Sequence, residues 1–291
     1  MSDVDIQPLG ETSKAGRVMK LLLQAPLSAK IGLLIIIVYV FVALFAPWIA
    51  PFGESELVGR KYQPWGGEFI LGTDNLGRDM LTRIIYGARN TVGIALITTI
   101  FAFIVGGVCG IMAAVLGGWA DLLISRVVDV LMAIPALIFA MLLLSIFGTS
   151  VINLIIIIGI LDATRVFRIS RAVSLNVVVM DFIEAARLRG ETLMWITVRG
   201  VLPNVSAPLT AEFGIRFCYV FLTISGLSFL GLGIQPPTAD WGSMVRDTAD
   251  LITFEDYTPL IPAAAIAILT IGVNFVVDWF LHRTSGLKDE Y

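Results

Sequence analysis

The sequence predicts an all-α integral membrane protein with six transmembrane helices, and three observations carry that expectation. Hydrophobic residues make up 57% of the chain and charged residues 15%, against roughly 45–50% and about 25% in soluble domains. Mean hydropathy is +0.88. A helix needs about 20 mostly apolar residues to cross the hydrocarbon core of a bilayer. Six stretches supply them, at 31–50, 91–116, 122–147, 150–168, 204–233 and 259–281.

In chain order, residues 1–30 begin "MSDVDIQPLGETSKAGR", too polar and acidic for the basic start of a signal peptide, and read as a cytosolic tail. The anchor 31–50 ends in Pro47 and Trp48, an interfacial stop. An outer loop, 51–90, contains "GTDNLGRD", where Gly72, Thr73, Asp74, Gly77, Arg78 and Asp79 carry the turn signals of a compact cap. Residues 91–282 form the transmembrane core. Its first span places Gly106 and Gly110 on one face, spaced for close helix packing. Residues 169–203 form a charged internal connection, and 283–291 a second short tail.

Six crossings put both termini on one side. With the termini inside, thirteen lysines and arginines face the cytosol and six face out, as the positive-inside rule requires. The outer segment 234–258 is acidic: Asp240, Asp247, Asp250, Glu255 and Asp256 stand against Arg246 alone. It reads either as a face for a basic partner or as a solvated loop.

The charged connection holds "EAARLRGETLMWITVRGVLPNV" from Glu184 to Val205. Good helix formers run to Arg189. Gly190 breaks them and reads as a bend between two short helices. Glu184 near the start and Arg187 and Arg189 near the end follow the helix dipole. Ala185 and Ala186 offer a surface without bulk, on which another protein could approach closely. A helix lying on the membrane is the alternative. Pro203 then stops the second helix or opens the fifth span.

Several chemistries lack their residues. No G-x-x-x-x-G-K-[ST] occurs, so the usual ATP-binding loop is missing. The one histidine, His282, has no second His or Cys near it in sequence, and no metal-binding or catalytic set is legible. The net charge of −3 offers no basic surface for nucleic acid. Charge inside a span is costly. Glu212 and Arg216, four apart in the fifth span, therefore read as an ion pair, either neutralised against a neighbouring helix or lining a translocation path. Asp129, in the third span, reads as structural with Arg126 three residues before it.

At this point a resemblance becomes usable. Glu184, Ala185, Ala186, Gly190, Leu202 and Pro203 fall at the spacing of the EAA loop of ABC importer permeases, with Gly200 standing where that pattern has Ile. "LGTDNLGRDMLTRIIYGAR" (71–89), "GGWADLLISRVVDVLMAIPALI" (117–138) and "GLSFLGLGIQPPTADWGSM" (226–244) resemble the second permease of dipeptide, oligopeptide and nickel importers. The likeness runs from about residue 17 to 282. It implies that the EAA segment is a coupling helix docked in a cleft of an ATPase. It also implies a partner permease, two ATPase subunits that use ATP and Mg, and a periplasmic or lipid-anchored substrate-binding protein. The chain itself would bind no cofactor and catalyse nothing. It would sit in a bacterial or archaeal cytoplasmic membrane. Peptides are the leading substrate, with nickel, glutathione and opines as alternatives. An ion-coupled secondary transporter or a channel is the rival class.

Overall fold

The computed structural model describes residues 25–284. The predicted tails lie outside this range but for their inner ends. The regular secondary structure of the described residues is all helical, apart from one isolated bridge between Thr73 and Asp79.

Helix α1 spans Leu27–Ile49, α2 Met80–Leu116, α3 Gly118–Met132 and α4 Ala136–Phe147. Helix α5 follows at Val151–Val178, α6 at Asp181–Leu188 and α7 at Leu193–Phe229. Helix α8 covers Trp241–Thr248 and runs into a 3₁₀ segment, Ala249–Phe254. Helix α9, Leu260–Thr284, closes the described chain.

Four helices, α1, α2, α7 and α9, are long and apolar enough to cross a membrane. The predicted single span at 122–147 is not one rod: it is broken into α3 and α4, bent by 85°. Pro135 explains the break, since it lacks an N–H and collides with the preceding turn of a helix. Counted as one broken span, the pair makes a fifth. The predicted span 150–168 lies in α5, which is long but does not qualify by composition, because Asp162, Arg165 and Arg168 interrupt its apolar run.

Two spans are longer than predicted. Both α2 and α7 run for 37 residues, about 55 Å at 1.5 Å per residue, well beyond a hydrocarbon core of about 30 Å. Of the two expected roles, Pro203 takes the second: it stands in the first turn of the regular α-helical stretch Leu202–Phe229. It lies inside α7, just after a π-helical turn over Ile196–Val201, where the regular backbone ladder has already been interrupted. A second π-helical turn, Ala88–Val92, lies inside α2.

The closest helix packing joins α2 to α5. Side chains at Gly106 and Gly110 would run into the backbone carbonyls of Ala163 and Phe167. The small-residue face expected from the sequence therefore lets two backbones meet. Helix α1 sits at the periphery. It meets α9 where Gly32 and Gly272 approach each other, and much of its outer face, including Leu34, Phe41 and Leu44, is exposed. The main core gathers Phe221, Ile224 and Leu227 of α7 around Trp241 of α8, with Leu154 of α5 and Leu144 of α4.

Candidate functional site

Three groups of polar residues stand out in this apolar frame: an elbow at α6–α7, a cap ahead of α2, and a buried charge cluster between α5 and α7.

The elbow begins with α6, whose first turn carries Asp181 and Glu184 and whose last turn carries Arg187, the order favoured by the helix dipole. Gly190 ends it at φ +78°. The Gly190 N–H donates to the Arg187 carbonyl at 2.9 Å and the Glu191 N–H to the Ala186 carbonyl at 3.1 Å. These two bonds form a Schellman cap, which needs a left-handed residue where Gly190 stands. Thr192 then caps α7, its hydroxyl accepting from the Trp195 N–H at 3.2 Å. The expected bend is therefore present. One expectation about it needs correction: Ala186 offers no outward surface. It is fully buried, with Ile183, against Ile196, Val201 and Val205 of α7 and Ile111 and Val115 of α2. Its small side chain lets α6 lie close to its own bundle.

The face turned outward is different. It carries Glu184, Leu188, which is 84% exposed, and Arg189, with Phe182 and Met194 nearby. Leu202 and Pro203 are exposed as well, whereas Ala185 is half-buried. The departure at Gly200 has a local counterpart: the space in front of it is occupied by the tip of Ile183. Arg187 reaches across to the Val115 carbonyl at the end of α2, at 3.4 Å.

The cap is built inward. Asp74 accepts from the backbone N–H groups of Leu76 (2.8 Å) and Arg78 (3.0 Å) and from the Arg78 guanidinium (2.6 Å). Asp79 caps α2 by accepting from the Thr82 N–H at 2.8 Å. Thr73 accepts from the Gln63 N–H and donates to the Arg60 carbonyl. Gly72 lies under the Gln63 carbonyl. Gly77, at φ +85°, lies against the Gly59 carbonyl, leaving no room for a side chain. Thr73, Asp74, Arg78 and Asp79 are all buried.

This cap is fastened to the segment between α7 and α8. Arg83 donates to the Pro237 carbonyl at 2.7 Å. Glu54 accepts from the Ala239 N–H at 2.7 Å and the Asn90 amide at 2.8 Å. Asp240 accepts from the Thr91 hydroxyl and the Ser243 N–H. Burial pushes its carboxyl above the usual range, and those hydrogen bonds hold it back. The acidic face of 234–258 is thus smaller than the sequence suggests: Asp240 is internal, Asp247 pairs with Arg246 at 2.9 Å, and Asp256 accepts from Thr258. Asp250 and Glu255 remain exposed.

In the charge cluster, Arg216 Nε lies 2.7 Å from Glu212 Oε1, so the expected partners do meet. Sequence reasoning missed their third member: Asp162 of α5 lies 3.6 Å from Arg216. The signal was present, because Asp162 heads the series Arg165, Arg168, Arg171 at three-residue spacing. Arg216 also lies 4.6 Å from the ring centre of Tyr219. Asp129 pairs with Arg168 at 2.7 Å instead of its neighbour Arg126, and Arg171 holds Asp121 in a two-pronged pair.

An exposed elbow at one end of the long helices and a buried polar cap at the other are the two polar ends of this apolar helical chain. Among the described residues no group of three or more His, Cys, Asp or Glu could hold a metal. Residues 106–284 match the family described as binding-protein-dependent transport system inner membrane component. Residues 28–64 match the N-terminal TM domain of oligopeptide transport permease C. The di/tripeptide transport system permease protein DppC of Pseudomonas aeruginosa is 36% identical over 89% of this chain and 85% of its own length. A putative peptide transport system permease protein of Brucella suis is 37% identical over 90% and 86%. The dipeptide transport system permease protein DppC of Alkalihalophilus pseudofirmus is 33% identical over 90% and 84%.

The chain belongs to this family. It is a multi-pass inner-membrane permease of the peptide-type ABC transporters and their non-catalytic transmembrane component. Membership in a binding-protein-dependent system implies a binding protein, ATPases and a partner permease.

Proposed function

We propose that this protein forms half of the translocation pathway of an ATP-driven importer of di- and oligopeptides. The observation that carries the reading is the elbow: a capped short helix with an exposed tip, continuous through one turn with a 37-residue rod. Force applied at α6 passes into a helix that runs without a loop from Leu193 to Phe229. The peptide assignment rests on relatives of 33–37% identity over about nine-tenths of the chain, whose names specify peptides.

In this reading both termini and residues 169–203 are cytosolic, and 51–90, which includes the first turns of α2, and 234–258 lie outside. Helix α5 supplies the sixth crossing, its charges compensated by Arg216, Asp129 and Asp121. Residues 31–50 act as the anchor and 91–282 as the permease core. Glu184, Ala185, Ala186, Gly190, Leu202 and Pro203 form the ATPase-coupling segment. Glu184, Leu188 and Arg189 supply its outward contacts, while Ala186 and Gly190 set its position. Substrate arrives from a periplasmic or lipid-anchored binding protein, and a homologous, non-identical permease completes the pathway. Two ATPase subunits supply the energy, so this chain binds no nucleotide.

The test is uptake of a labelled dipeptide by cells expressing the chain with its neighbouring transport genes. Uptake should need ATP and disappear with Leu188→Asp, which should also release the ATPases on purification. Dipeptide uptake that persists without the ATPase subunits would favour an ion-coupled transporter instead.

A further inference from the structure

We propose that Asp162 and Arg165 form a handover site for the free amino end of a passing peptide, an assignment that rests on the peptide-import reading above. Three observations on α5 carry it. Asp162 is 94% buried, with a relative exposure of 6%, yet its Oδ2 has no hydrogen-bond partner. Buried polar atoms are nearly always paired, so an orphaned carboxylate oxygen marks a missing donor. Asp162 and Arg165 also line a half-open cavity of about 30 Å³, together with Ala136 of α4 and Val220 and Thr223 of α7. That is room for a water-sized group such as a single ammonium.

The third observation is the uneven pairing along the arginine series. Arg168 and Arg171 each hold a carboxylate within ordinary hydrogen-bond distance, Asp129 and Asp121. Arg165 has only Asp162, at 4.0 Å, and Asp162 is shared with Arg216 at 3.6 Å. The Arg165 side chain is 44% exposed, so its guanidinium reaches a face this chain leaves open.

The chemistry that fits is a donor of positive charge beside an acceptor. In the first residue of a peptide, the ammonium group and the first carbonyl sit on neighbouring carbons. The ammonium can donate to Asp162 while the carbonyl accepts from Arg165. Glu212 and Arg216 face the same aspartate from α7, and Arg216, shared between the two carboxylates, offsets one of their two charges. The site therefore has one carboxylate to offer and one guanidinium to lend. No bond is made or broken; the peptide is held briefly and released.

The experiment uses the complete importer in proteoliposomes, with partner permease, ATPases and binding protein, and labelled alanyl-phenylalanine as the probe. Arg165→Gln should raise the ATP consumed per peptide moved, because a site that holds the peptide about tenfold more weakly, the loss of one charge-assisted hydrogen bond, lets more cycles pass empty. Arg165→Lys, which keeps the charge, should recover most of that loss. The free α-amino group of a peptide titrates at about 7.7–8.0. Wild-type uptake should therefore fall as pH rises through that range, and Asp162→Asn should flatten the fall.

If Asp162→Asn blocks assembly, the Arg165 pair decides the outcome alone. An unchanged ATP-to-peptide ratio in Arg165→Gln overturns the inference and leaves the cavity as the seat of a bound water only. So does an undiminished alkaline fall in an assembled Asp162→Asn importer. A wild-type importer that moves no peptide at all overturns the peptide-import reading, and this site with it.

Discussion

The two long rods of the molecule begin in opposite ways. Helix α2 starts from a cap whose charged residues are turned inward, bonded within their own segment and, through Glu54 and Arg83, to the segment between α7 and α8. Helix α7 starts from an elbow whose charged and apolar residues are turned outward. Both motifs look alike in sequence, as glycines set among charges. The difference lies in where the polar groups find partners. Asp74 meets four partner groups within its own segment or α2: two backbone N–H groups, Arg78 and, at 3.9 Å, Arg83. Glu184 and Leu188 are left exposed to whatever approaches. A signature made of internal bonds sets a shape, whereas one made of exposed side chains on a capped frame can transmit a contact.

Breaking the cap should therefore have the largest effect on stability. Asp74→Ala would leave Arg78 and Arg83 buried together without their shared carboxylate. Removing one member of a buried charge set costs about 3–5 kcal/mol. The purified protein should lose thermal stability by the largest margin of any variant considered, read as a lowered melting temperature in detergent. Leu188→Asp at the elbow should leave that temperature unchanged. Equal shifts in both would erase the contrast between the two ends.

The charge cluster comes next. Because Asp162 shares Arg216, the three residues do not behave as a simple pair. Arg216→Met should be the most damaging single change, since it strands two carboxylates, whereas Glu212→Gln leaves Arg216 with Asp162. The double change of Glu212 and Arg216 should rescue little, and adding Asp162→Asn should restore assembly. If the double change alone restores the assembled complex, Asp162 is not part of the cluster.

A smaller effect is expected at Gly190. A side chain there meets nothing within 4 Å, so any cost comes from its φ of +78°, about 1–2 kcal/mol for an ordinary residue. Asparagine tolerates this region and valine does not. Gly190→Val should insert and fold yet lose ATPase co-purification, while Gly190→Asn should keep most of it. Identical retention in the two variants would mean that the cap does not aim the elbow.

The smallest effect belongs to Thr192→Ala. Losing an N-cap costs about 1 kcal/mol, here confined to the first turn of α7. Slightly faster hydrogen exchange at Trp195 and Ile196, with transport nearly unchanged, is the expected result.

Sequence by itself determined what depends on solvent and on local backbone. Apolar runs set the helical class and the positions of α1, α2, α7 and α9, because lipid forces every backbone group into a helix. Gly190 announced a bend, since a cap of this kind needs φ > 0, and Gly106 and Gly110 announced close packing. Tertiary structure decided whatever depends on which partner is near. It turned Ala186 inward, paired Asp129 with Arg168 instead of Arg126, brought Asp162 to Arg216 across 54 residues of sequence, and sealed the cap residues beneath an outer segment. It also fused the elbow to α7 through Pro203, because a π-helical turn absorbed the interruption that proline alone implies. Spacing along one helix reports only that helix's own face. The residues that meet that face come from elsewhere in the chain, and their approach is set by packing between helices.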